Sequence, residues 1–230
     1  MKLPFADNGN PNSWASRMRQ ARVAQFLNVL PTNSGITRIL DVGGTEHFWT
    51  GIWSERCKHL RITLLNIEPA TVSGVLPIEA VTGDARDLSA FAAQEFDFCF
   101  SNSVIEHVGS LADQKKMADE IRRVCGGYFI QTPYRYFPLE PHFQVPLWAQ
   151  LPLGVRTALH QRWNLGWMPA EPDYMTARLE VEQIRLLSIR EYRLLFADAE
   201  IRYEKVGPLI KSLIAVKRRL ASTSGRSIVT

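Results

Sequence analysis

The chain has 230 residues, of which 46% are hydrophobic and 22% charged. That is ordinary for a soluble globular protein and enough for one large domain or at most two small ones. Net charge is +4 and the isoelectric point about 9.1, but the basic residues are dispersed as Arg17/Arg19/Arg22, Arg122/Arg123 and Lys217/Arg218/Arg219, so no nucleic-acid footprint is expected. No apolar run is long enough for a transmembrane segment, and the first residues lack the apolar core of a signal peptide. The three widely spaced cysteines, Cys57, Cys99 and Cys125, suit neither disulfides nor a metal, so a cytoplasmic protein without a metal site is expected.

Residues 1–12 read as an Asn/Pro/Gly-rich arm. Ser13 can cap a helix to about Leu30, since Trp14, Met18, Ala21, Val23, Phe26, Leu27 and Leu30 recur at helical spacing, and residues 31–35 end it. A strand at 37–42 runs into Asp41-Val42-Gly43-Gly44. A first crossover helix, aromatic through Phe48, Trp49 and Trp53, is expected from His47 to Cys57. Strands follow at 61–67, ending at Glu68-Pro69, and at 78–81, ending at Gly83-Asp84-Ala85. A short helix should start at Asp87. Strand 96–100 ends in Ser101-Asn102-Ser103, helix 111–124 follows, and strand 127–131 ends at Thr132-Pro133.

The pattern then breaks. Residues 133–187 hold most of the surplus aromatics and prolines and read as an insertion, with a helix around 146–163, a Pro-rich loop and a further helix. Ser188-Ile-Arg-Glu191 has the form of a capping box, which predicts a helix to Ala199. Two last strands, 201–206 and 213–217, should pair antiparallel, and the tail 221–230 should be disordered.

Strands alternating with helices predict a parallel α/β sheet, in which ligands bind beyond the carboxyl ends of the strands. Four successive strands end in polar groups at that edge: Asp41, Glu68, Asp84 and Ser101-Asn102. Glu68 follows the glycine turn by roughly 25 residues, near the spacing at which an acid binds a ribose diol in nucleotide-binding sheets.

This ladder, with its final hairpin, resembles the class I S-adenosylmethionine-dependent methyltransferases, and their type-11-like members above all, over residues 36–132 and more loosely 188–219. The resemblance implies a Rossmann-like seven-stranded sheet, mostly parallel with an antiparallel last strand, helices on both faces, and S-adenosylmethionine as cofactor. Asp41, Gly43 and Gly44 fall on the glycine-rich motif, Glu68 on the ribose-binding acid, and Asp84 and Ala85 on the adenine-recognising pair. Asn102, Ser103 and Glu106-His107 fall under the cofactor's reactive end. Thr45 and His47 stand where the family has its second and third glycines. A Cβ at those places narrows the turn, and Thr45 or His47 can contact the cofactor instead.

Transfer to a hydroxyl needs a base, and two histidines are placed for it: His107 after the fourth strand and His142 in Pro138-Leu-Glu-Pro-His142. The insertion is the natural acceptor-binding cap of what is expected to be a single methyltransferase domain. Tyr134, Arg135, Tyr136 and Trp148 are its candidate substrate-binding residues, for a small-molecule, sugar or lipid-linked acceptor. The apolar face of 147–159 can pack on the sheet or rest on a membrane surface. A nucleic-acid methyltransferase, a non-catalytic cofactor-binding scaffold and a nicotinamide-dependent enzyme are the competing readings. The sequence leaves acceptor and oligomeric state open.

Overall fold

The computed structural model describes residues 14–30 and 35–219. The expected arm, the Ser13 cap, the turn at 31–34 and the tail lie outside the described residues. Strands β1 (Thr37–Val42), β2 (Leu60–Asn66), β3 (Ile78–Thr82), β4 (Phe96–Asn102), β5 (Cys125–Pro133), β6 (Glu200–Val206) and β7 (Leu209–Lys217) form one sheet in the order β3-β2-β1-β4-β5-β7-β6. The first five are parallel. β7 runs antiparallel between β5 and β6.

Side-chain alternation along the strands divides the core in two. On one face Ile39, Ile62, Phe98, Phe100, Phe129 and Ile214 pack against Phe26 and Val29 of helix α1 (Trp14–Val29), Leu30 just after it, and Trp49 of helix α2 (Glu46–Ile52). On the other, Leu40, Val42, Cys99, Tyr128 and Ile130 meet Met117, Ala118 and Ile121 of helix α3 (Leu111–Val124) and Tyr192 and Leu195 of helix α6 (Ile189–Leu195). All three cysteines are buried and free.

The capping boxes set two helix starts. Ser110 and Asp113 cap α3, and Ser188 and Glu191 cap α6 as the sequence predicts. Helix α6 stops at Leu195, short of Ala199, because Phe196 leaves the helical conformation with its ring buried against Tyr128 and Tyr192. The Tyr192 hydroxyl donates to Ile130 O at 2.6 Å and accepts from Ala215 N at 3.1 Å, which fixes α6 across β5 and β7.

Three expected helices are corrected. The first crossover is two pieces, α2 and a 3-10 turn at Glu55–Cys57. The helix expected from Asp87 is absent, because α3 takes its backbone groups: Glu120 accepts from Leu88 N at 2.7 Å, and Arg123 donates to the carbonyls of Leu88 and Phe91. The 146–163 helix is broken. A 3-10 turn at Trp148–Gln150 ends at Leu151, which is extended before Pro152, and helix α4 (Leu153–Arg162) starts beyond it.

The predicted further helix is α5 (Tyr174–Gln183), which packs on α4. The insertion has a small core of its own, with Phe143, Trp148 and Val181 at its centre and Leu151, Leu159 and Ile184 around them. Its apolar face is spent there rather than on the sheet. Among the described residues no helix is long and apolar enough to cross a membrane.

Candidate active site

Parallel pairing brings the ladder to one rim. Val42 stands opposite Leu65 and Ser101, Asn66 opposite Thr82, and Asn102 opposite Gln131. Gly43 N donates to Leu65 O at 2.8 Å, Asn66 Nδ2 to Gly44 O at 3.0 Å, and Gly83 N to Asn66 O at 2.8 Å. The carboxyl ends of β1, β2 and β3 are thereby laced side by side, with Glu68 and Asp84 just beyond them.

At the glycine turn Gly43 takes φ +74°, a conformation that disfavours side chains. A Cβ there would lie 2.4 Å from Val104 Cγ2, and one at Gly44 would lie 1.8 Å from Asp41 Oδ2. Asp41 sits at the back wall of the rim. It is buried and accepts from Trp49 Nε1 at 2.7 Å, and burial pushes its pKa up to about 7 although the indole N–H opposes the shift. Its carboxylate thus holds the turn from behind. Thr45 caps α2, its hydroxyl accepting from Phe48 N at 3.3 Å. Glu46 accepts from the amide and hydroxyl of Ser73 at 2.8 and 2.6 Å, tying the β2–β3 loop to the start of α2.

In front of this turn lies an open cavity of about 220 Å3 lined by Asp41, Gly43, Gly44, Thr45, His47, Phe48, Phe100 and Asn102. A cradle that a Cβ at Gly43 or Gly44 would disturb, with the acid Glu68 two residues beyond the end of the next strand, fits an adenosine-bearing cofactor. Glu68 is exposed on the rim. Asp84 is not free: Arg86 grips both oxygens through Nε and Nη2 at 2.6–3.0 Å, which holds its pKa down, so an adenine amine would share that carboxylate. Ala85 is buried behind it.

Asn102 is also on the wall of a second cavity, of about 320 Å3, under the insertion; its other lining residues include Ser103, Gln131, Tyr134 and His142. Ser103, at φ 57°, is held in the left-handed region by Ser103 N donating to Gln131 O and its hydroxyl to Gln131 Oε1, both at 3.0 Å. Arg22, from α1, donates to Asn102 Oδ1 and to Gln131 Oε1, and its guanidinium pairs with Glu204 of β6 at 2.7 Å. Arg22 was grouped by sequence with dispersed surface charge. It is 8% exposed, and no helical periodicity marks an arginine as inward-facing.

His107 and His142 are brought together, Nε2 to Nε2 at 3.1 Å. Glu140, also missed in the sequence, is 3% exposed; it accepts His142 Nδ1 at 2.5 Å and the amides of His142 and Phe143 at 2.8 and 2.6 Å. Burial opposes charge on His142, but this carboxylate outweighs it and the pKa rises. Desolvation and then His142 push His107 down. Glu106 is fully buried, which raises its pKa to about 7; the Thr132 hydroxyl donates to its Oε2 at 2.9 Å. Of the insertion's candidates, Tyr134 lines the larger cavity and Tyr136 is exposed. Arg135 and Trp148 instead flank a smaller cavity of about 160 Å3, where Trp148 is buried against Phe143.

A seven-stranded sheet whose penultimate strand is antiparallel, with an open cradle at its switch point, defines a methyltransferase-type fold, and residues 40–130 match the family profile described as a methyltransferase domain. That stretch, 91 of the 230 residues and so less than half of the chain, is similar to a methyltransferase domain. Over 68 residues it is 31% identical to an uncharacterized protein of Mycobacterium tuberculosis, found in two strains; the match covers 30% of this chain and only 23% of that relative's length. Similar solved folds include a Pyrococcus horikoshii protein (TM-score 0.52, 16% identity, 95% of this chain and 96% of that one) and a SAM-dependent methyltransferase of Methanosarcina mazei (TM-score 0.50, 14% identity, 86% and 98%).

Proposed function

We propose that the chain transfers a methyl group from S-adenosylmethionine to the oxygen of a small-molecule, sugar or lipid-linked acceptor. The observation that carries this reading is the shared wall at Asn102: the cradle at Gly43–Gly44 and the cavity under the insertion both border that one side chain. When bound, the cofactor would supply a methyl group activated on a sulfonium, a leaving group that needs no further activation by the protein. The chain itself has to align donor and acceptor and keep water out, which is worth most when the reacting atoms are held rigidly. Arg22 and Gln131 fix Asn102 and Ser103 for that purpose. The acceptor's proton leaves at the cavity wall formed by His142, whose ring is oriented by Glu140.

Calorimetry with S-adenosylhomocysteine tests the cradle. Wild type should bind at micromolar concentration, and Glu68→Ala should bind at least about 10-fold more weakly, because a ribose diol loses a charged acceptor. His142→Ala should bind as wild type yet transfer label from S-adenosylmethionine to a panel of hydroxylated small molecules about 100-fold more slowly. A wild-type chain that binds neither form of the cofactor would end this reading.

A further inference from the structure

The geometry points to a divalent-cation site formed by Glu106, His107 and His142, taking a first-row metal such as zinc. A carboxylate oxygen of Glu106 and one ring nitrogen of each histidine lie within 4.8 Å of one another. The three donors come from two separate parts of the chain: the turn after β4, and the insertion. Zinc bonds to nitrogen and oxygen ligands run about 2.0–2.2 Å, so tetrahedral donors stand about 3.4 Å apart. The two Nε2 atoms, at 3.1 Å, are close to that edge, and a separation at the 4.8 Å limit has to close by about 1.4 Å.

Two further observations favour a cation over a plain contact between histidines. The first is Glu106 Oε1. It is buried and has no hydrogen-bond partner, while Oε2 is satisfied by Thr132. A proton shared between the two rings leaves that oxygen orphaned, at a cost usual for a buried acceptor; a cation satisfies all three donors together. The second is Glu140. A carboxylate only accepts, so His142 Nδ1 carries the hydrogen, and in the neutral ring Nε2 presents its lone pair. A buried carboxylate behind a ligating imidazole is the usual support of a metal-bound histidine. Two imidazoles and one carboxylate with a position left open suit zinc or its first-row neighbours; magnesium and calcium prefer oxygen ligands. The cysteines take no part.

Binding of the cation stands on these contacts alone. Its use in turnover rests on the methyl-transfer reading: the site adjoins the acceptor cavity through His142, and a hydroxyl drawn to the open position gives up its proton to water more readily. His142 then serves as a ligand, and the base of the metal-free protein is replaced.

The test uses the full chain stripped with a chelator. Zinc is titrated by calorimetry, and cobalt(II) is followed by its visible absorption. One equivalent should bind, with a tetrahedral or five-coordinate cobalt spectrum. His107→Ala, His142→Ala and Glu106→Gln should each weaken binding by about 100-fold or more, and Glu140→Gln by about 10-fold. His107 is at a more exposed position, so its variant should keep the wild-type circular dichroism. S-adenosylhomocysteine affinity, measured on His142→Ala and Glu140→Gln, should not change, so loss of the metal site is separable from loss of the cofactor cradle. No cobalt spectrum in wild type, or wild-type affinity in His107→Ala, would overturn the site and leave the methyl-transfer reading standing.

Discussion

Asp41 shows how one residue carries two jobs. The sequence marks it as the acid that ends the first strand; the structure turns its side chain inward, under Gly44 and against Trp49. A carboxyl group buried in this way resists ionisation, and its pKa is raised from 3.8 to about 7. The folded state therefore holds the proton more tightly than the unfolded chain. Stability from this group is full below pH 3.8, falls as pH rises towards 7, and is flat above that. The shift bounds the loss at about 4 kcal/mol. Glu106 titrates with the same sign, so the informative quantity is a difference. Urea unfolding of wild type and Asp41→Asn between pH 4 and 8 should show a shallower decline in the variant; parallel curves would mean that Asp41 is ionised in the folded protein at all these pH values.

The elements bear out those sequence signals that are local and fail where neighbours intervene. The Ser188 box starts α6 as read, because two backbone donors find their acceptors within four residues. Ser188→Ala should cost about 1 kcal/mol in chemical denaturation, and it should do so without changing cofactor affinity, since Ser188 lines neither cavity. The missing helix after β3 is the opposite case. Nothing within 83–95 forbids a helical turn, but Glu120 and Arg123 of α3 compete for the same backbone groups and win. Pro152 was visible as a breaker, yet the apolar spacing of 147–159 read through it as one helix.

At the scale of the whole molecule, α1 and the far edge of the sheet are joined through the site. Arg22 reaches Glu204 across 182 positions of sequence, and both are nearly buried. Removing one partner strands the other charge, so Arg22→Met should lower stability by about 3–5 kcal/mol, while Arg22→Met with Glu204→Leu should recover most of it. If the double variant regains stability without regaining methyl transfer, the pair's remaining role is to hold Asn102 and Gln131 for the site. Equal stability of wild type and Arg22→Met in thermal unfolding would show that the pair contributes nothing net.

By itself the sequence determined the strand order of acidic ends, the glycine turn, the aromatic insertion and the antiparallel hairpin, because each is written in a few neighbouring residues whose chemistry is local. It could name His107 and His142 but not join them, and it gave no sign of Arg22, Glu140 or Gln131 as parts of the site. Those depend on which side chains face each other once β4, β5 and the insertion are packed. A contact between residues 35 positions apart, such as that between the two imidazoles, is decided by tertiary structure because no periodicity along the chain encodes it.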